Sequence, residues 1–126
     1  MLKVKERDIN AGIRSILELD GWHVLMMETV SRREWGKFTG EPGMPDMLAI
    51  RYSHGGTPQS NPACAEVLWI EGKAPCGIVG AKQSLWHSTE LARGALIWLA
   101  GHDFAADVDS FLEHYRKSGL MRRRID

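Results

Sequence analysis

The chain has 126 residues, 44% hydrophobic and 25% charged, and its 16 basic and 16 acidic side chains give a formal net charge of zero. That length is one domain with room for a core; the neutral balance argues against a strongly basic nucleic-acid binder, and no apolar run approaches the roughly 18 residues that cross a bilayer. The N-terminus MLKVKERDIN has no signal-peptide stretch, and Cys64 and Cys76 have no ligand spacing, so the chain reads as a reduced cytoplasmic protein with neither disulfide nor structural zinc.

From Lys5 to Leu19 the apolar residues Ile9, Ile13, Ile16 and Leu17 recur at i, i+4, i+7 and i+8, which predicts an amphipathic helix. Asp20-Gly21 ends it with a residue suited to the left-handed cap. Trp22 to Met27 reads as a strand, and residues 31–45, rich in glycine, proline and charge, as a loop. Met47 to Tyr52 and Ala65 to Gly72 read as strands joined by the polar turn region Ser53 to Ala63. A helix is expected from about Ala81 to Ala100 and ending at Gly101, then a short strand from Asp103 to Val108 and a last helix over about Asp109–Lys117. The order α-β-β-β-α-β-α implies one α/β domain over 1–126, a mixed sheet flanked by helices. The Arg-rich end, residues 119–126, is a candidate for disorder.

Charge is unevenly spread. Residues 41–110 carry Arg51, Lys73, Lys82 and Arg93 against eight acids, whereas residues 111–126 carry five bases against Glu113 and Asp126. Such a distribution suits a cation site flanked by anion-binding surface, and equally an ordinary neutral protein.

Within the third strand, Val67-Leu68-Trp69-Ile70 leads straight into Glu71-Gly72-Lys73. Alternation points Glu71 and Lys73 the same way, about 7 Å apart. The second strand opens on Pro45-Asp46, so an antiparallel hairpin brings Asp46 beside Glu71. Two carboxylates this close repel, and a divalent cation relieves them. Magnesium takes one or two carboxylates and substrate phosphate, and a neighbouring lysine can orient and deprotonate a water. That combination is the chemistry of metal-assisted phosphodiester hydrolysis. Taken alone, Glu71 and Lys73 are also what an ordinary ion pair at a surfacing strand looks like. No Gly-rich phosphate cradle supports a small-phosphate hydrolase.

Pro45-Asp46 followed by Glu71-Gly72-Lys73 resembles the signature of the PD-(D/E)XK nuclease superfamily. The wider stretches GMPDMLAI, WIEGKAP and AKQSLWH resemble its virus-type replication-repair nuclease (VRR-NUC) branch, in which E-x-K-A is followed by a glutamine early in the next helix, here Gln83. The resemblance covers about Glu6 to Val108. It implies a restriction-endonuclease-like core, a magnesium or manganese cofactor, and cleavage of branched or flapped DNA, as by a Holliday-junction resolvase. Asp46 and Glu71 would be metal ligands with the Gly72 carbonyl, and Lys73 the catalytic lysine. Glu6 matches a further acidic position of the superfamily, although an acid in a first helical turn is also expected from the dipole. Gln83 would contact the lysine or the DNA backbone.

His87 follows Gln83 at i+4; it is a candidate DNA contact, although a place in a solvated polar stripe is the more ordinary reading of it. Arg32, Arg33 and Lys37 are candidate phosphate contacts or plain loop charges. Single-domain members of such families usually act as homodimers, which would set two sites against the two strands of a junction. A non-catalytic DNA-binding or assembly module on the same fold, and a flap or single-strand nuclease, are the alternatives.

Overall fold

The structure, a computed structural model, describes residues 6–27, 43–52, 64–72 and 81–123, with the backbone alone for Glu6, Ala81 and Lys82. Lys73, Arg32, Arg33 and Lys37 lie outside the described residues. Three helices, α1 (Glu6–Leu19), α2 (Ala81–Ala92) and α3 (Val108–Ser118), accompany four strands, β1 (His23–Met26), β2 (Met47–Tyr52), β3 (Ala65–Glu71) and β4 (Ile97–Leu99). The strands form one mixed sheet in the order β1-β2-β3-β4, antiparallel except for the parallel β3–β4 pair. A parallel pair needs a crossover, and α2 supplies it.

The first helix follows its apolar period. Ile9, Ile13 and Leu17 are fully buried and Ile16 nearly so. It stops where Gly21 adopts φ 89°: Trp22 N donates to Leu17 O at 3.0 Å and Gly21 N to Glu18 O at 3.1 Å, the paired bonds of a Schellman end. In the sheet, Met47 and Ala49 stand opposite Ile70 and Leu68, and Trp98 of β4 lies beside Ile70. Alternation therefore turns these residues to one face, where they form a single core with α1 and with Phe111 and Tyr115 of α3. Gly12 lets the two helices approach: a Cβ there would stand 2.5 Å from Val108 Cγ2. The opposite face, carrying Trp69 and Glu71, receives α2 through a T-shaped contact of Trp69 with Trp86, ring centroids 4.9 Å apart.

Two expectations are corrected. The helix expected to run to Ala100 ends at Ala92, because Gly94 takes φ 99° and a second Schellman end forms, with Ala95 N donating to Glu90 O and Gly94 N to Leu91 O, each at 3.0 Å. The apolar run Ile97-Trp98-Leu99 becomes β4 instead of helix, and residues 103–108 contribute one isolated bridge, Ala100 with Phe104, rather than a strand. The element order is nonetheless the expected one.

The Arg-rich end is also held in place as far as Arg123. Asp20, 3% exposed, accepts hydrogen bonds from the backbone N–H groups of Arg122 and Arg123 at 2.9 and 2.6 Å and from the Tyr115 hydroxyl. Arg51 grips Glu66 with two bonds of 2.9 Å, reaches Asp20 at 2.9 Å, and stacks over Trp22. A run of basic residues reads as solvated, but a buried carboxylate needs donors, and here the tail's amides supply them. Burial alone would raise the Asp20 carboxyl; the Tyr115 hydroxyl, the two amides and the Arg51 charge hold it below its ordinary value. Burial and the Asp20 bond push the Tyr115 hydroxyl up to about 12. Among the described residues, no helix is long and apolar enough to cross a membrane.

Candidate functional site

The hairpin brings the two signature segments together at one end of the sheet. Pro45, fully buried, ends the approach to β2, and the carbonyl of Asp46 accepts from Met27 N of the β1 end at 2.6 Å. Met47 then pairs with Ile70, so Asp46 and Glu71 are the next residues outward on two antiparallel strands. The Asp46 carboxylate reaches across this junction. Its Oδ2 accepts from Gly72 N at 3.2 Å and from Asn10 Nδ2 of α1 at 3.4 Å.

Glu71 is 2% exposed. Its carbonyl accepts from Ala100 N at 2.8 Å, fixing the β3 end to β4, and its Oε1 accepts from Gln83 Nε2 at 3.3 Å. A carboxylate so desolvated needs donors or a cation to remain charged. Gln83 is aimed at it because Trp86, three residues on, anchors α2 to Trp69 of the same strand. The glutamine expected to touch the lysine or DNA thus touches the buried carboxylate.

His87 lies one turn beyond Gln83 but is 6% exposed, with its ring edge-on to Trp86 at 6.0 Å. The solvated polar stripe expected at Gln83 and His87 is therefore corrected: α2 turns this histidine inward. Glu6 opens α1 at i−4 from Asn10, which sets both positions on one helix face.

The residue that sequence reasoning missed is Asn10. A count of apolar positions passes over it, yet Asn10, Ile13 and Leu17 fall at i, i+3 and i+7, so a polar residue stands on the buried stripe. That break in the pattern was the available signal. Asn10 packs so closely on the β3 end that a Cβ at Gly72 would lie 1.7 Å from its Oδ1. A side chain at Gly72 would force the Asn10 amide to shift.

Among the described residues, no group of three His, Cys, Asp or Glu side chains stands close enough together to hold a metal ion. Among the described residues, Asp46, Glu71, Asn10 and Gln83 are the ones whose side chains the fold brings to this end. Comparison of the chain with protein-family models, with curated proteins and with solved structures gives no match in any of the three.

Proposed function

We propose that the chain is a metal-dependent DNA endonuclease of the PD-(D/E)XK type, with a VRR-NUC-like, restriction-endonuclease-like core, that hydrolyses phosphodiester bonds in branched or flapped DNA. The observation that carries this reading is the Gly72 N to Asp46 Oδ2 hydrogen bond, which joins the Pro-Asp segment to the Glu-Gly-Lys segment across the hairpin. The Gln83 to Glu71 bond adds support, because it brings the helix glutamine to the same strand end.

The donor set suits a hard divalent cation: two carboxylates at adjoining strand ends, among backbone and amide oxygens. Asp46, Glu71 and the Gly72 carbonyl would hold magnesium or manganese. When bound, the cation supplies Lewis-acid stabilisation of the phosphate and lowers the pKa of a water. The chain's own residues do the rest. Asp46 and Glu71 orient the site, each with a hydrogen bond fixing its carboxylate. Gln83 holds Glu71 Oε1, and burial keeps bulk water from that carboxylate. Lys73, two residues past Glu71, would orient the attacking water and take its proton at Nζ. Glu6, one helical turn before Asn10, would act through water, and Arg32, Arg33 and Lys37 would contact phosphates. A homodimer would present two such sites to a four-way junction.

The test is cleavage of labelled four-way junction, flap, duplex and single-stranded DNA with magnesium or manganese. Wild type is expected to cut a branched substrate. Asp46→Asn, Glu71→Gln and Lys73→Ala should each lower the rate at least about 100-fold while DNA binding persists. Undiminished turnover in all three variants overturns the assignment, and DNA binding without metal-dependent cleavage would favour a non-catalytic module instead.

A further inference from the structure

Asn10 sits where the helix pattern calls for an apolar residue. It is 9% exposed, on the stripe of Ile13 and Leu17, and its buried Oδ1 has no hydrogen-bond donor among the described residues. A buried amide oxygen without a donor destabilises a fold. Leucine, of similar size, would continue the stripe without that penalty. Where a local choice works against stability, a function of the residue is the first explanation to examine.

The other end of the side chain supplies one. Nδ2 donates to Asp46 Oδ2, the same oxygen that accepts from Gly72 N, so two donors from different elements converge on one carboxylate oxygen. Both donors hold the Asp46 carboxylate through Oδ2, and Oδ1 takes part in neither bond. The close fit of Asn10 against Gly72 fixes the donor itself, since the amide is wedged between α1 and the β3 end.

We propose that Asn10 is the positioning residue of this site: it orients the Asp46 carboxylate for a divalent cation, and the chain retains it at some expense of stability. What the oriented carboxylate binds rests on the nuclease reading above; the contact itself does not. Partners that orient a ligating carboxylate typically change metal affinity or activity 10- to 100-fold when removed.

The deciding variant is Asn10→Leu, compared with wild type in thermal unfolding and in calorimetric titration with Mn2+. We expect a melting temperature equal to or above wild type, with the Mn2+ dissociation constant raised about 10- to 100-fold. On a substrate that wild type cleaves, kcat should fall while the KM for DNA stays unchanged. A merely structural asparagine predicts the reverse, a lowered melting temperature with Mn2+ affinity intact in the folded protein. A folded Asn10→Leu with Mn2+ affinity within twofold of wild type overturns the proposal. If that variant does not fold, the same titration on Asn10→Ala decides by the same criterion. Wild type that binds Mn2+ but cuts no DNA would sink the nuclease reading alone, leaving Asn10 to stand or fall on the titration. Wild type that binds no Mn2+ overturns both.

Discussion

Gly72, the middle residue of Glu-Gly-Lys, shows how an otherwise unconstrained position becomes constrained. Its Cα faces Asn10 Oδ1 so closely that any side chain would collide with it. We predict that Gly72→Ala lowers stability by about 1–3 kcal/mol, the usual cost of overpacking. Combining it with Asn10→Ala, which removes the obstructing amide, should recover part of that loss. In a urea-unfolding double-mutant cycle, this appears as a coupling energy on the order of 1 kcal/mol. Strict additivity would mean that the two residues do not meet. At the same scale, Glu71 and His87 are polar groups at strand and helix positions that an exposure-based reading would turn outward, yet both are buried.

At the scale of elements, glycine decides more than helix propensity does. Gly12 lies inside α1, where propensity alone says that Gly12→Ala should stabilise by about 1 kcal/mol. Its Cβ would instead meet Val108 Cγ2 at 2.5 Å and Cγ1 at 3.0 Å, and a β-branched side chain has little freedom to move away. We therefore predict the opposite sign, a loss of about 1–3 kcal/mol, read as a lower melting temperature. A rise would show that α3 can retreat without cost. Gly94 governs a larger outcome. Its left-handed backbone, two residues past the last helical residue Ala92, stops α2 and returns the chain so that Ile97 pairs beside Trp69. The apolar run through Leu99 was compatible with helix or strand, because a short buried run does not distinguish the two by periodicity.

Across the whole molecule, the charged pair Arg51–Glu66 and the buried Asp20 tie α1, β2, β3, α3 and the C-terminal segment together at the sheet end away from Asp46. This fixes the pH dependence of stability. The hydrogen bond from Arg51 holds Glu66 below its ordinary 4.5, and Asp20 is held below 3.8. Carboxyls lowered on folding contribute stability that is complete above the unfolded values and lost as pH falls through the folded ones. Tyr115 moves the other way, from 10.0 to about 12, so its contribution is complete below pH 10 and disappears as pH rises toward 12. Denaturant unfolding across pH should show a plateau with an acid limb beginning below about pH 4.5 and an alkaline limb beginning near pH 10. Glu66→Gln should shrink the acid limb and Tyr115→Phe the alkaline one. Limbs unchanged by both substitutions would show that other groups control them.

What the sequence determined by itself was local and periodic. The 3.6-residue repeat of Ile9, Ile13, Ile16 and Leu17 specified α1, Asp20-Gly21 specified its end, and the apolar run Met47 to Ile50 specified β2, because each depends on near neighbours only. The adjacency of Asp46 and Glu71 was also legible, since antiparallel pairing of two consecutive strands leaves few alternatives. Tertiary structure decided the rest: that Asn10 reaches Asp46, that Gln83 serves Glu71, that His87 turns inward, that residues 97–99 join the sheet, and that the tail's amides close on Asp20. Each of these joins residues from different elements, and no local pattern encodes how elements will meet. They follow from burying the most apolar surface while leaving every desolvated charge a partner, a condition that only the assembled chain can satisfy.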